Sequence, residues 1–507
     1  MTANSLKFMS RNSGARWADP QEIKESSAIK QINVVRDCDG CGIPIISDGR
    51  TAYVDDSDTH SLIFGSTGSK KTRLFGMPML NIITQAGESF ITTDPKGELY
   101  EKTSGHAAAK GYNVIALNFR DLTKSSLWNP LMLPYEMHHS GKEDDAMALI
   151  NDFLGTLAEP QRRNTKDPYW IDMGMSMALA YMLFFIESAT KNEANLSNFV
   201  SFLVGNSQPA QTDVLAGCTE EGSIANINFK QVLTNKESEK TFACVASTAS
   251  AMFAPFMIRK SLCQLLSKSD FDIRTVGKEK TAIYIIVPDE KTALHFLISV
   301  FVKQVYEALI HEAQIGKEKK LPVRVNFILD EFCNIPTIPD MPAMVSAARS
   351  RNMRFFLMTQ GMYQMEQKYG KDAETIKGNC DNWVFLTSRE HGLLQEISNL
   401  CGETVLRDIS GNVYSRPLIS ISELQRLRKE KGEALILHGR QYPFMAELPD
   451  IDDYAFKKYP PMPSRGTRLP EINVYNPNPV VDDIKKGKRP ILFSTDYKRQ
   501  VSDIFDW

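Results

Sequence analysis

Short runs of apolar and β-branched residues alternate with helix-length segments along much of the chain. Each run is bounded by polar or turn-forming residues, which is the pattern of buried strands. Buried strands that are separated by helical segments predict a mostly parallel sheet with helices on both faces, an α/β fold. The predicted strands are Ser61–Phe64, Ser89–Thr93, Asn113–Leu117, Ala282–Val287, Val325–Leu329, Phe355–Met358, Val384–Leu386 and Ala434–Leu437.

No comparable series of strands is predicted between Leu117 and Ala282. Apolar residues recur there with helical spacing, most clearly near Trp170–Ile186, which predicts an all-α domain inserted into the α/β domain. The last ~50 residues are rich in proline and charge and predict an extended tail, ordered against a neighbour. The predicted divisions are an N-terminal extension packed on the α/β domain at 1–60, the α/β domain at 61–138 and 266–457, the all-α domain at 139–265 and the tail at 458–507.

The composition is that of an ordinary globular protein, with 42% hydrophobic residues, 24% charged residues and a formal net charge of -2. A length of 507 residues is sufficient for two or three domains. A protein that only coats nucleic acid is usually more basic than this. Any contact with nucleic acid is therefore expected to come from local patches or from a lined channel.

Cysteine usage and hydropathy favour a reducing, cytoplasmic setting. Cys38 and Cys41 form a CxxC pair, which is weak evidence for zinc because no second pair or His pair accompanies it. Residues 1–30 lack an apolar secretory segment. The apolar stretches Met177–Ile186 and Leu294–Val302 are shorter than the ~18–20 residues that span a bilayer, so buried helices are predicted there and no transmembrane segment.

A glycine-containing loop directly follows the first predicted strand. Its residues are Gly65, Ser66, Thr67, Gly68, Ser69, Lys70, Lys71 and Thr72. A helix is predicted from Arg73 to Leu80, with Pro78 as a point of bending. Strand, loop and helix in this order are typical of a P-loop, whose backbone N–H groups bind phosphate oxygens. Lys71 is then expected to bind the β- and γ-phosphates and the Thr72 hydroxyl to bind Mg²⁺, whereas the alternative is a Ser/Gly turn without a ligand.

Lys70 departs from the P-loop pattern G-x-x-x-x-G-K-[ST], because it stands where the second glycine is required. Its side chain would either crowd the phosphates or point outward and add positive charge. The rate of hydrolysis is therefore the property that this substitution leaves open.

An apolar strand ends in two carboxylates, Asp330 and Glu331. In P-loop ATPases this arrangement holds Mg²⁺ through the first carboxylate and polarises the attacking water through the second. Adjacent carboxylates after a strand also occur as a solvated turn. The presence of the Gly65–Thr72 loop in the same chain favours the catalytic interpretation.

The next predicted strand, Phe355–Met358, is followed by Thr359 and Gln360. A polar residue at that strand tip is expected to lie beside the γ-phosphate as a sensor. Arg349 lies in the preceding predicted helix, Met341–Asn352, and is a candidate arginine finger for the nucleotide of an adjacent subunit. An ordinary surface arginine is the alternative.

Taken together, these segments resemble the soluble part of the TraG-like coupling ATPases of type IV secretion and conjugation, over about residues 10–455. Further stretches carry the resemblance besides the nucleotide motifs. They are Gly14–Ala18, His60–Ile63, Thr93–Tyr100, Trp128–Leu131, Leu329–Phe332, Asn334–Pro336 and Tyr369–Gly370.

The resemblance implies a RecA-like nucleotide-binding domain with an inserted all-α domain that recognises cargo. It implies hexameric rings with ATP and Mg²⁺ at the subunit interfaces, in which Lys71, Thr72, Asp330, Glu331, Gln360 and Arg349 act as described above. It implies as partners the components of a type IV secretion channel and either a relaxase with single-stranded DNA or effector proteins. The stretch containing Asp94 and Lys96 matches a characteristic family loop, to which no chemical role is assigned.

Two features leave alternatives open. Members of this family commonly begin with transmembrane helices, so the chain is expected at the cytoplasmic face of the membrane, either trimmed of its anchor or bound to a separate membrane subunit. Lys70 also permits a substrate receptor that binds nucleotide but hydrolyses it slowly. A cytoplasmic DNA translocase of the FtsK-like kind is the remaining alternative.

Overall fold

The computed structural model describes residues 14–257, 259–288, 290, 294–407, 413–463, 466 and 468–494. Its described residues form two compact units. The first comprises those within 1–116, 273–290 and 305–463, and the second those within 117–272, 291–304 and 464–507.

Three groups of strands are present among the described residues. A small sheet comprises β1 Ile29–Asn33, β2 Pro44–Ser47 and β3 Thr51–Asp55, in the order β1-β3-β2. The large sheet, which forms the core of the first unit, comprises β4 Ser61–Gly65, β5 Ser89–Thr93, β6 Asn113–Asn118, β7 Thr281–Ile286, β8 Val325–Leu329, β9 Met353–Thr359, β10 Asn382–Thr387, β13 Glu433–His438 and β14 Phe444–Glu447. Its nine strands lie in the order β14-β13-β10-β4-β9-β8-β5-β7-β6. A hairpin comprises β11 Glu403–Arg407 and β12 Val413–Pro417.

The central strands of the large sheet, from β10 through β7, pair in parallel, and β13 and β14 complete one side in antiparallel pairing. All the strands predicted from apolar runs are present in this sheet, with ends that differ by one or two residues. Every residue of β4, β5, β7, β8 and β9 is buried, as expected of strands that helices cover on both faces. The mostly parallel α/β sheet is therefore confirmed, whereas β1–β3, β11, β12 and β14 were not predicted.

Helices account for about half of the remaining described residues. They are α1 Pro20–Lys24, α2 Met77–Ala86, α3 Glu98–Ala109, α4 Met132–His139, α5 Glu143–Asn164, α6 Tyr169–Ser188, α7 Leu196–Asn206, α8 Pro209–Gly217, α9 Ile224–Leu233, α10 Glu239–Ala251, α11 Ala254–Met257, α12 Lys260–Leu265, α13 Phe296–Ile315, α14 Met341–Ala348, α15 Met362–Tyr369, α16 Asp372–Gly378, α17 His391–Cys401, α18 Ile421–Leu424 and α19 Asn478–Lys485.

The second unit is built around α6, which packs against α5, α9 and α10. Every residue from Ala180 to Ser188 is buried, and Phe184 and Phe185 stack on Phe202 of α7. Among the described residues, α6 is the helix that is long and apolar enough to cross a membrane, and 67% of its most apolar window is buried. This burial matches the buried helix predicted for this stretch.

Part of the tail that was predicted to be extended is helical, because Asn478–Lys485 forms α19. The tail residues of the second unit also pack on its helices. The Tyr475 and Ser188 hydroxyls are within hydrogen-bond distance, and the Asn198 side chain donates to the Asn473 carbonyl at 2.6 Å. Sequence pattern alone did not reveal these contacts, since each joins residues more than 270 positions apart.

A fully buried arginine, Arg354 on β9, anchors the amino-terminal ends of the strands. Its guanidinium donates to the Asn326 side chain at 2.9 Å and to the carbonyls of Cys41 and Ser57 at 3.0 Å. Its ion-pair partner is Glu88, at 3.0 Å. A buried cation is tolerated only when it is paired and hydrogen-bonded, so these partners are required for the fold.

Cys41 of the CxxC pair belongs to this same cluster. Cys41, Asp56 and Glu88 place potential metal ligands close together. Two arginines, however, already supply the positive charge that a metal ion would bring to this group. Arg354 contacts Cys41 Sγ at 3.2 Å, and Arg324 pairs with both carboxylates at 3.3 Å. We therefore interpret the group as an ion-pair network.

Replacing Glu88 by Gln is expected to lower the free energy of unfolding by about 3–5 kcal/mol, because the buried Arg354 charge loses its partner. The exposed Arg16–Glu22 pair provides a control, and Glu22→Gln is expected to leave stability almost unchanged. Urea denaturation followed by circular dichroism measures both. Equal losses in the two variants would contradict the role given to Glu88.

Candidate nucleotide-binding site

The predicted site residues lie at the carboxyl ends of neighbouring parallel strands. Phe64 of β4 pairs with Thr359 of β9, and Leu329 of β8 pairs with Leu357 two residues earlier on β9. Gly65, Asp330 and Gln360 therefore emerge at the same edge of the sheet. Ligands of open α/β sheets bind at this edge.

The loop after β4 is compact. The Ser66 N–H donates to the Thr387 carbonyl at 3.0 Å, and the Ser69 N–H donates to the Ser66 carbonyl at 3.0 Å. A Cβ on Gly65 would lie 2.3 Å from Ser69 Oγ, and Gly68 has a φ of 79°. Both glycines are therefore needed for this loop conformation.

Lys70 takes up the left-handed backbone conformation that a glycine would favour, with a φ of 68°. Its side chain is directed to Asp450, where Nζ lies 3.2 Å from Oδ2. Of the two predicted possibilities, this geometry matches a side chain that does not crowd the phosphate loop.

Lys71 is buried, and its Nζ donates to the Gly65 carbonyl at 2.6 Å. The next residues form a π-helical segment, Thr72–Gly76, before α2 begins at Met77. Pro78 lies within this continuous helical stretch, where it lacks the N–H that a helical hydrogen bond would use. Single π-turns are frequent at functional sites, and this one begins at Thr72, directly after Lys71.

Asp330 is a buried carboxylate that joins the phosphate loop to the end of β8. Its Oδ2 accepts a hydrogen bond from Thr72 Oγ1 at 3.0 Å, and its Oδ1 accepts one from the Glu331 N–H at 2.9 Å. The Thr93 hydroxyl donates to the Asp330 carbonyl at 2.8 Å. Burial, followed by the charge of Glu331, raises the pKa of Asp330, while Lys71 and the Thr72 hydrogen bond oppose the rise. A buried carboxylate paired with a hydroxyl suits a divalent cation, which supplies the missing positive charge.

Glu331 occupies a strained backbone position, with φ 51° and ψ 43°. Its Oε1 lies 3.6 Å from Lys71 Nζ. Its Oε2 accepts hydrogen bonds from Gln360 Nε2 at 2.9 Å and from Asn334 Nδ2 at 3.3 Å. These contacts fix the carboxylate between the phosphate loop and the tip of β9.

The structure thus brings together the loop, Lys71, Asp330, Glu331 and Gln360. Arg349 is not among them. It lies in a 3₁₀ turn, Arg349–Arg351, that follows α14 and precedes β9, at the opposite end of the strand from Gln360. The predicted helical segment to Asn352 is therefore α-helical as far as Ala348 and continues as this 3₁₀ turn to Arg351. Arg349 is partly exposed and pairs with Asp381 at 3.1 Å, and its role towards an adjacent subunit stays a prediction.

Asp94, for which the sequence suggested no role, lies directly after β5, the neighbour of β8. Its carboxylate accepts the Tyr100 N–H at 2.8 Å and so caps the start of α3. Burial raises its pKa to about 6, and the negative charge of Asp330 acts in the same direction. Asp94 therefore belongs to the electrostatic surroundings of the site, whereas Lys96 is exposed.

The residues fit a triphosphate with Mg²⁺. Ser69 Oγ is buried within the loop and has no hydrogen-bond partner among the residues that the structure describes, although buried hydroxyls are normally paired. A phosphate oxygen would satisfy it. Thr72 and Asp330 together offer the oxygen ligands that Mg²⁺ requires.

Sequence reasoning missed Asn334 and Asp450 as contributors to the site. Asn334 lies three residues after Glu331, and its position in a polar turn was a usable signal. Asp450 is 377 residues from Arg73, which it contacts, so no local pattern indicated it.

Two curated proteins resemble the chain in sequence. VirD4 of Rhizobium radiobacter is 23% identical over 470 residues, which is 86% of this chain and 63% of VirD4. An uncharacterised protein of Bacillus anthracis is 27% identical over 123 residues, which is 23% of this chain and 45% of that protein. The chain spans less than two thirds of the length of each of these relatives.

Solved structures of the conjugative coupling protein TrwB share the fold. The unbound form is 15% identical, with a TM-score of 0.59 over 89% of this chain and 95% of that one. The complex with ADP and Mg²⁺ is 14% identical, with a TM-score of 0.60 over 89% and 96%. This likeness confirms the predicted RecA-like P-loop fold.

The model of the family described as "Type IV secretory system Conjugative DNA transfer" matches residues 16–435. This match confirms the resemblance inferred from the motifs. Because it covers most of the chain, the protein belongs to this type IV secretion family of conjugative DNA-transfer proteins.

Proposed function

We propose that the chain is the ATP-driven motor of a type IV coupling protein. It recruits a relaxase–DNA complex or an effector protein to a secretion channel at the cytoplasmic face of the membrane and drives its transfer by ATP hydrolysis. The proposal rests on the contacts of Glu331. Its carboxylate pairs with Lys71 of the phosphate loop and accepts a hydrogen bond from Gln360. The sequence likeness to VirD4 and the fold shared with the coupling protein TrwB support the assignment.

Each residue has a definite task in this mechanism. The loop N–H groups and Lys71 bind the phosphates, and Ser69 Oγ adds a hydrogen bond. Thr72 and Asp330 would hold Mg²⁺, which would neutralise charge on the phosphates. Glu331 accepts the proton of the attacking water as its oxygen bonds to the γ-phosphorus, and ADP leaves with the electrons of the broken P–O bond. Gln360 donates a hydrogen bond to Glu331 and acts as the sensor for loss of the γ-phosphate.

Two proposals extend to the assembly and cargo. Chains assemble as a homo-hexamer in which Arg349 reaches the nucleotide of a neighbour. The helical residues 139–265 recognise the cargo, because they are inserted into a nucleotide-binding domain whose fold is shared by many ATPases.

The alternative of a slowly hydrolysing receptor rests on Lys70. Its left-handed backbone and its contact with Asp450 reproduce the loop shape of a glycine, so the lysine itself gives no steric reason for slow turnover. We therefore favour an active ATPase.

Lys71→Ala is expected to abolish binding of ATP, because the buried ammonium is removed from the loop. Glu331→Gln is expected to keep binding but to slow hydrolysis about 10²–10⁴-fold, since the proton acceptor is lost. Calorimetry measures binding and phosphate release measures hydrolysis. Lys110→Ala, at a surface ion pair with Asp37, is the control. Normal hydrolysis by either site variant would refute the assignment.

Arg349→Ala and Lys71→Ala are each expected to be inactive as pure assemblies, since an arginine finger contributes about 10³–10⁵-fold. An equal mixture of the two is expected to recover roughly a quarter of wild-type hydrolysis, because randomly mixed rings pair an intact site with an intact finger at that frequency. Steady-state ATPase assays on assembled protein test this. Absence of recovery would contradict action across subunits.

Single-stranded DNA is expected to stimulate hydrolysis and to bind without sequence preference. Because the contacts are to phosphates, log K is expected to fall linearly with log salt, with a slope of about −0.7 for each phosphate contacted. Fluorescence anisotropy over a salt series measures the slope. Binding that is independent of salt would contradict a backbone-contacting channel and favour protein cargo.

A further inference from the structure

Lys70 holds a backbone conformation that L-residues adopt at a cost. Its φ of 68° lies in the left-handed region, where a Cβ approaches the following carbonyl. The Lys70 carbonyl also accepts the Leu74 N–H at 2.8 Å, so this residue begins the helical segment that carries Lys71 and Thr72. A change of conformation at Lys70 would therefore move both phosphate-site side chains.

Asp450 supplies the interaction that compensates for this conformation. Its Oδ2 lies 3.2 Å from Lys70 Nζ and accepts a hydrogen bond from Arg73 Nε at 3.0 Å, and Arg73 Nη2 contacts its other oxygen. The side chain of Asp450 is 17% exposed. Although burial acts in the opposite direction, hydrogen bonds from Arg73 and Lys70 hold the pKa of Asp450 below its usual value, so the carboxylate stays charged.

The segment that bears Asp450 is itself firmly held. The Leu448 N–H donates to the Gly432 carbonyl at 3.0 Å, and the Ala455 N–H donates to the Gly49 carbonyl at 2.8 Å. Leu448 and Tyr454 are buried in the core of the first unit. Asp450 therefore presents its carboxylate from a rigid support, as a positioning group requires.

We propose that Asp450 is a positioning residue for the phosphate loop: by holding the Lys70 ammonium it stabilises the loop shape that a glycine would otherwise provide. This inference rests on the proposed nucleotide site and adds a residue to it. It predicts that Asp450 governs the affinity for ATP and leaves the chemical step to Glu331.

Asp452 offers a matched control. It contacts Arg73 but not Lys70 among the described contacts, and it lies two residues away on the same segment. Asp450→Asn and Asp452→Asn change the net charge near the phosphates by the same amount. A difference between them reports the contacts that Asp450 makes and Asp452 does not, and the Lys70→Gly background then isolates the contact with Lys70.

The test is the Kd for a non-hydrolysable ATP analogue, measured by calorimetry, together with kcat. Asp450→Asn is expected to bind about five- to tenfold more weakly than Asp452→Asn, with kcat values within about twofold of each other. In a Lys70→Gly background the two Asn variants are expected to bind equally, because glycine needs no support at this φ. If Asp450 acted only through general structural stability, the difference in Kd between the two Asn variants would persist in that background.

Equal Kd values for the two Asn variants in the presence of Lys70 would overturn the inference, and so would a difference that persists in the Lys70→Gly background. Lys70→Ala keeps the Cβ but loses the contact with Asp450. Its Kd for the analogue therefore tests the contribution of that contact while Asp450 itself is unchanged. It is expected to bind more weakly than Lys70→Gly, and equal binding would also overturn the inference. Failure of the wild-type chain to bind the analogue would instead refute the proposed function.

Discussion

Parallel pairing of β4, β9 and β8 in one register is the constraint on which the site depends. Because Phe64 pairs with Thr359, the phosphate loop and Gln360 leave the sheet at the same level. Because Leu329 pairs with Leu357, Asp330 and Glu331 leave it close by. A shift of one residue would turn these side chains to the other face of the sheet. The buried, apolar strands fix that register, and the chemistry follows from it.

Charge within the site is arranged around a buried lysine. Lys71 lies near Glu331, while Asp330, with a raised pKa, is held by Thr72 and by the backbone. Asp94 adds a further buried carboxylate to the same surroundings. A divalent cation would relieve such an excess of desolvated negative charge. Its binding would explain why acidic residues are buried here.

The sequence predicted the large sheet well because its strands are continuous apolar runs, of which Val325–Leu329 is typical. It did not predict β1, Ile29–Asn33, because that strand mixes buried and exposed residues over a short span. The site residues were predicted where they follow such runs, as Asp330 and Gln360 do. Contacts between distant segments, such as Asp450 with Lys70, depend on the fold and leave no local pattern. Arg349 was predicted from its place in the chain, and its role towards an adjacent subunit stays a prediction.

The guanidinium of Arg354 has a consequence for how this protein can be divided into fragments. Residues that precede the phosphate loop provide three of its contacts, from the Cys41 carbonyl and sulfur and the Ser57 carbonyl. A fragment cut just before β4 would keep every nucleotide-binding motif and the Glu88 and Asn326 partners, yet Arg354 would lose its other hydrogen bonds. Autonomous folding of the catalytic half therefore begins well upstream of its first recognisable motif, at the strands that contribute no chemistry.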